Sequence, residues 1–370
     1  MRLCLAVAAV AVALAGGGAF AGDATGGDAL AGDATSQAER SGFGLDRNES
    51  LRARIGAIVA SERGRGFSGA ILVARRGRPI FSRGVGLADR GRRIRITPRT
   101  VFDIGSITKN LTLAAALALV EDGRLELSDR LGDLLPGVPV DKQAITLRQL
   151  LAHRAGLPQY VVDAPGGDFV ELSRSEALSR IFRRPLRFAP GTDYGYSDAG
   201  YTVAAAVIEN AAGLPFEDFL RQRIIERGRM TSAGFYGNRR RPSRVAIGYG
   251  GRTHGQRNAP DAWSHVSWSL KGAGGVVASA RDLAAWTRRL WGGRVLDRHT
   301  VRTFYEILFE PERLPPGNAF AVGYAGANDY GFNSTVVEAD RARRLVVVLS
   351  NAGGNRAERL ASRIARLVLR

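Results

Sequence analysis

The chain reads as an α/β (α+β) protein: an antiparallel sheet built from both chain ends and flanked by helices, with a mostly helical region inserted between them. Two observations place strands at both ends. β-rich runs occupy Phe67 to Ala74 and Pro79 to Leu87, and others recur at Asn333 to Ala339 and Leu345 to Leu349. A third observation concerns the middle of the chain, which shows helical periodicity broken by Pro and Gly turns and little strand-like alternation.

Taken in order, the chain opens with Met-Arg-Leu-Cys, an apolar run from Leu5 to Ala15, and small residues ending in Ala19-Phe20-Ala21. That order predicts a signal peptide over residues 1–21, hence export to the periplasm or medium. The run is too short for the roughly 20 apolar residues of a membrane span, so no span is expected in the mature chain. Residues 22–44 are mostly small and polar and predict a disordered linker. The folded domain is expected over 45–370, its α/β part at about 45–105 and 292–370 and its helical insertion at about 106–291.

Within that domain, Leu51, Ile55, Ile58 and Val59 recur at helical spacing, which predicts a helix near Leu45 to Arg63. Arg76-Gly77 separates the first two strand runs and reads as a hairpin turn. A long helix is expected to start near Ser106, to carry Leu111, Leu113, Leu117, Leu119 and Val120, and to stop at Gly123. Further helices are expected at Leu147 to His153, Tyr201 to Ala212 and Ala280 to Trp291, and Arg356 to Leu369 reads as a closing amphipathic helix.

Composition narrows the chemistry. The 370 residues are 45% hydrophobic, enough for a sizeable core. Cys4 is the only cysteine and lies inside the expected signal, so disulfides and thiol chemistry are not expected. The histidines at 153, 254, 265 and 299 are scattered and match no metal-ligand spacing, so neither a metal nor another cofactor is expected. Net charge is +18, but the basic residues are spread along the chain, and all are arginines except Lys109, Lys142 and Lys271. Loose attraction to a cell-wall polymer or anionic envelope surface is one reading, and compositional bias is the simpler one. No nucleic acid partner is expected of an exported protein.

Ser106-Ile107-Thr108-Lys109 carries the chemistry. A hydroxyl and an amine three residues apart at a helix start project from the same face. Serine becomes a nucleophile when a base takes its proton, and lysine serves as that base once burial and positive potential make it neutral. Arginine cannot take this role, so a lysine in an arginine-rich chain carries information. The helix start also offers the Ser106 N–H to a developing oxyanion.

Together with Phe102-Asp103-Ile104-Gly105 before it, Ile145 to Leu157 and Pro190-Gly191-Thr192, this motif resembles the serine β-lactamase and penicillin-binding-protein superfamily, in its β-lactamase-related branch of esterases and D-amino-acid peptidases. The resemblance implies a β-lactamase/transpeptidase-like fold and a serine hydrolase of S-x-x-K type. It implies that Tyr196, in Tyr196-Ser197-Asp198, is the motif tyrosine beside the nucleophile, and that Asp198 stands where asparagine is usual and orients lysine and substrate. An aspartate there favours the ammonium form of Lys109, which shifts proton transfer toward Tyr196.

The family's third motif, Lys-Thr-Gly or His-x-Gly on an edge strand, matches Tyr324-Ala325-Gly326, one residue further than usual from Gly331-Phe332-Asn333-Ser334. Tyr324 then takes the place of the family's cation, and Tyr324, Gly326 and Ala327 are the implied substrate-orienting residues, with the Ala327 N–H as second oxyanion donor. Without that cation, an ester or neutral amide is a better substrate than a carboxylate-bearing β-lactam or D-peptide. Lys271-Gly272-Ala273-Gly274 resembles a glycine turn before a helix rather than the third motif, and His153 reads as a buried hydrogen-bonding residue. The expected function is acyl transfer from a small-molecule or peptide substrate through an acyl-enzyme. The alternative is a silent scaffold that binds cell-wall fragments.

Overall fold

A computed structural model describes residues 35–164, 166–235, 245–251, 266–309 and 321–369, with side chains from residue 49 onward. The expected signal peptide and residues 22–34 of the expected linker lie outside these, as do His254 and His265.

Helix α1 spans Thr35–Gly64, so residues 35–44, expected as linker, are helical. Thr35-Ser-Gln-Ala-Glu-Arg contains no helix breaker, and its Gln, Ala, Glu and Arg are good helix formers that extend the helix seeded by Leu51 and Ile55. Strands β1 (Gly69–Arg75) and β2 (Arg78–Val85) follow, joined through Arg76 and Gly77, both at positive φ as a type I′ hairpin requires. A small ribbon, β3 (Leu87–Asp89) and β4 (Ile94–Arg95), leads to β5 (Phe102–Asp103). Ser106 lies in a 3-10 turn, Gly105–Ile107, and helix α2 runs Thr108–Glu121.

The inserted region contains α3 (Leu131–Leu134), α4 (Val140–Gln143), α5 (Leu147–Leu151), α6 (Arg174–Phe182), α7 (Asp198–Ala212) and α8 (Phe216–Leu220). It also holds β6 (Gly234–Phe235) and β7 (Val276–Ala278), which form a second sheet with β5 in the order β5-β7-β6. Strands of two or three residues are too short to show alternation, which is why none is legible there.

Helices α9 (Ala280–Trp291) and α10 (Arg298–Phe309) precede the last three strands, β8 (Ala321–Ala327), β9 (Asn333–Ala339) and β10 (Arg344–Ser350), and helix α11 (Arg356–Val368) closes the fold. The main sheet is antiparallel in the order β2-β1-β10-β9-β8, so β1 pairs with β10 from the opposite end of the chain.

Alternation along these strands separates two cores. Ile71, Val73, Val346 and Val348 face α1 and α11, while Leu72, Leu345, Val347 and Leu349 face the larger core shared with the inserted region. Helix α9, expected within the insertion, packs on β1 and β10 instead, so the helical insertion ends before it. Its Leu283, Trp286 and Leu290 are buried on the face that a capping box at Ser279 and Asp282 sets in place. Glu62 accepts hydrogen bonds from Arg359 at 3.0 Å and Arg363 at 2.6 Å, fastening α1 to α11. Among the described residues no helix is long and apolar enough to cross a membrane.

Candidate active site

The nucleophile turn is fixed by close backbone packing against the edge strand. A β-carbon on Gly326 would lie 2.7 Å from the Ser106 nitrogen and in conflict with the Ile104 carbonyl, and one on Gly105, at φ +55°, would lie 2.7 Å from the Ala327 nitrogen. Only glycines permit this approach. It brings the backbone of the Ser106 turn and that of Gly326-Ala327 into close contact. Ser334 on β9 secures the contact by donating to the Ile104 carbonyl at 2.7 Å.

Lys109, in the first turn of α2, is only 3% exposed. Its Nζ donates to Ser106 Oγ at 3.1 Å and to the Ala273 carbonyl at 3.0 Å, and lies 2.6 Å from Asp198 Oδ1. These three acceptors match the three N–H bonds of an ammonium. Burial nonetheless pushes the amine below its usual range, against the opposing pull of Asp198 and, more weakly, Asp168.

Tyr196 Oη donates to Ser106 Oγ at 2.8 Å. Burial first, and then the Asp198 charge, hold this phenol well above its ordinary pKa, so Tyr196 rests as a proton donor. The same carboxylate that favours the Lys109 ammonium thus also disfavours the Tyr196 phenolate.

His153 positions this segment. Its carbonyl accepts from Gly195 N–H at 2.9 Å and its Nδ1 from Ser197 N–H at 3.1 Å. Burial, then the Lys109 charge, lower its pKa to about 3, so the imidazole is neutral. Ser197 in turn accepts from Gly200 N–H at 2.8 Å, capping α7, and Asp198 is the first residue of that helix.

Ser106, Tyr196, Asp198, Gly326 and Ala327 line an open cavity of about 360 Å³. Tyr324 differs from expectation. It is 3% exposed, and its hydroxyl lies 3.3 Å from Thr287 Oγ1 on α9 rather than at the substrate side of the edge strand. Alternation explains this: Tyr324 and Gly326 share one face of β8, and Tyr324, two positions before the glycine that meets Ser106, falls over the core. The additional residue before Gly331 is absorbed in the β8–β9 turn, where Phe332 N–H donates to Asn328 Oδ1 at 3.2 Å.

Lys271 is a structural cation. Its Nζ lies 2.7 Å from Glu217 Oε1 and 4.7 Å from the Trp268 ring. Two groups at the site carry no legible motif. One is the Ala273 carbonyl, a backbone atom presented by the Gly272–Gly275 turn, and the turn's glycines are its only sequence signal. The other is Asp168, whose carboxylate accepts from Asp329 N–H at 3.0 Å in the β8–β9 turn and which lines the cavity. Among the described residues no group of His, Cys, Asp and Glu side chains is arranged to hold a metal ion.

The sequence matches the family described as Beta-lactamase over residues 51–370. It is 28% identical over 316 residues to the protein of Bacillus subtilis (strain 168) named "Putative penicillin-binding protein PbpX", covering 84% of this chain and 75% of that protein. The fold superposes on D-amino acid amidase from Ochrobactrum anthropi SV3 with a TM-score of 0.73 at 22% identity, covering 86% of this chain and 99% of that one. It also superposes on EstCE1, a hydrolase with promiscuous acyltransferase activity, with a TM-score of 0.70 at 22% identity, covering 88% and 100%. At that identity the two structures establish the shared fold.

Proposed function

Because this chain belongs to the beta-lactamase family, we propose that it is a serine hydrolase of S-x-x-K type that forms an acyl-enzyme on Ser106, with Lys109 as the base. The observation that carries this reading is the pair of contacts on one oxygen: Ser106 Oγ lies 3.1 Å from Lys109 Nζ and 2.8 Å from Tyr196 Oη.

In the reaction, neutral Lys109 takes the Ser106 proton as Oγ attacks the carbonyl carbon of an ester or amide. The oxyanion forms against the Ser106 and Ala327 N–H groups. Tyr196 gives its proton to the leaving oxygen or nitrogen and recovers one from the Lys109 ammonium. Water then attacks the acyl-enzyme by the same route, returning Ser106 and releasing the acid.

The test is covalent labelling. A fluorophosphonate probe is expected to add one adduct by intact mass, mapped to Ser106 and absent from Ser106→Ala, and p-nitrophenyl acetate is expected to be turned over. Labelling elsewhere, or neither labelling nor turnover, overturns the reading. One observation favours a second reading: Asp198 Oδ1 lies 2.6 Å from Lys109 Nζ, and its charge favours the ammonium form. A silent scaffold that binds cell-wall fragments then predicts no adduct, with fragment binding unchanged in Ser106→Ala.

We place this activity outside the cytoplasm, on the strength of the charged start, apolar run and Ala19-Phe20-Ala21 of residues 1–21. The mature protein recovered from periplasm or medium is then expected to begin at Gly22. The net charge of +18 supports loose association with an anionic envelope polymer, which salt is expected to abolish and Ser106→Ala to leave intact.

A further inference from the structure

We propose that the end of the main sheet formed by the β1–β2 and β9–β10 turns docks on an anionic phospholipid bilayer, which holds the Ser106 cavity at the far pole, away from the membrane. This surface shares no residue with the Ser106 site, so its role is independent of the serine hydrolase reading.

Basic residues are spread along the sequence, but folding gathers some of them. Register pairs Arg75 of β1 with Arg78 of β2 on one side and with Arg344 of β10 on the other, which places three arginines in a row across adjacent strands. The two turns beyond this row touch, since Gly77 N–H donates to the Arg343 carbonyl at 3.0 Å. Residues 75–78 and 341–344 thus form one surface, and six of these eight are arginine. Arg76, Arg78, Arg341 and Arg343 are exposed, whereas Arg344 is held by Asp340 at 2.6 Å and by the Leu369 carbonyl.

The backbone adds to the significance of these residues. Arg76 and Arg341 adopt φ of +53° and +55°, inside a left-handed region that glycine and asparagine enter at lower cost. Arginine at two such positions costs the turns some stability and adds charge at their tips. A guanidinium fork pairs with phosphate oxygens through two parallel N–H bonds, which suits phospholipid headgroups.

Position selects a bilayer as the partner. Ala327, Asn333, Ser350 and Gly69 form the paired row nearest Ser106, and Arg344, Arg75 and Arg78 lie in the row at the other end of the same strands. The two rows are about 20 Å apart. Helix α11 runs from Ala357, whose N–H donates to Asn333, to Leu369 at the arginine end. Helix α1 lies antiparallel to it, with Gly66 just beyond its end beside Arg356 and Glu62 bonded to Arg359 and Arg363. The chain before Leu51 therefore departs from the arginine pole. That stretch includes the apolar run Leu5 to Ala15, expected to direct the chain to a membrane. A basic cluster on the side from which a membrane-directed segment leaves is placed to meet anionic lipid.

The experiment measures co-sedimentation of the full chain with vesicles of equal parts phosphatidylglycerol and phosphatidylcholine, with vesicles of phosphatidylcholine alone, and retention on immobilised polyphosphate. Two variants lose the same charge. One combines Arg76→Gln, Arg78→Gln, Arg341→Gln and Arg343→Gln; the other combines Arg124→Gln, Arg148→Gln, Arg180→Gln and Arg187→Gln, at exposed positions of the inserted region. The turn variant is expected to bind the anionic vesicles at least about tenfold more weakly than wild type, and the second variant within about threefold of it. The difference between wild type and the turn variant is expected to vanish on phosphatidylcholine alone and at about 1 M salt. Hydrogen exchange on the vesicle-bound wild type is expected to slow at residues 75–78 and 340–344 and to stay unchanged at 326–331. Equal loss in both variants reduces the effect to net charge and overturns the inference. Slowing at 326–331 instead of the turns overturns it too, as does retention on polyphosphate without vesicle binding, which assigns the turns to a polymer. Should the fourfold turn variant fail to fold, Arg78→Gln with Arg343→Gln, which leaves both left-handed positions intact, decides the comparison against Arg124→Gln with Arg148→Gln.

Discussion

Asp198 Oδ1 lies 2.6 Å from Lys109 Nζ, nearer to the amine than Ser106 Oγ, at 3.1 Å. Lys109 is thus held between burial, which favours the free amine, and a carboxylate, which favours the ammonium. Asp198→Asn removes the second influence and lowers the Lys109 pKa further. Activity needs the amine neutral, so the rising limb of the kcat/KM profile for p-nitrophenyl acetate is expected to move to lower pH. A limb that stays in place, or moves up, shows that Lys109 is not the group being titrated.

Tyr196→Phe removes the 2.8 Å hydrogen bond to Ser106 and the donor for the leaving group, but keeps the ring beside His153. Turnover is expected to fall by roughly a hundredfold or more. The melting temperature should change little. A variant that keeps its rate makes Tyr196 a packing residue.

Gly326→Ala tests the backbone approach that builds the oxyanion site. The added methyl meets the Ile104 carbonyl and the Ser106 nitrogen, both backbone atoms with little freedom to move. The expected cost is about 1–3 kcal/mol of stability with a marked loss of acylation rate. Thermal melts and stopped-flow acylation read the two effects, and an unchanged rate would mean that β8 does not shape the site.

Glu338 sets a pH dependence of stability away from the site. Burial raises its pKa from 4.5 to about 7, although Tyr305 and Trp291 both donate to it at 2.7 Å. Between those two pH values the native state holds a proton that the unfolded chain has released. Its contribution to stability is therefore complete below 4.5 and is lost as pH rises toward about 7. Glu338→Gln should flatten this part of the curve. Equal slopes in wild type and variant, from denaturant melts across that range, would contradict the assignment.

How much of this is legible in the sequence depends on how local each feature is. The Ser106–Lys109 contact follows from three-residue spacing at a helix start, and the β1–β2 hairpin from two residues at positive φ, so both are readable. The two-sided sheet is readable from alternation in β1, β9 and β10. Asp168 is not, because it acquires its neighbours only when the β8–β9 hairpin folds onto a turn about 160 residues away. Nor is the Ala273 carbonyl, since backbone acceptors have no residue signature. Tyr324 lies between these cases. Its position two residues before Gly326 fixes its face, but which surface that face meets is decided by where α9 packs.

Synthesis of the chain gives the pairing of β1 with β10 a temporal meaning. Ser106 leaves the ribosome about 220 residues before Ala327, an interval of roughly ten to forty seconds at ordinary elongation rates. Throughout that interval a nascent chain holds its hydroxyl and amine but lacks half of the anion-stabilising pair and the central strand of its sheet. The edge strand beside Ser106 and the central strand of the sheet consequently become available together, late in synthesis.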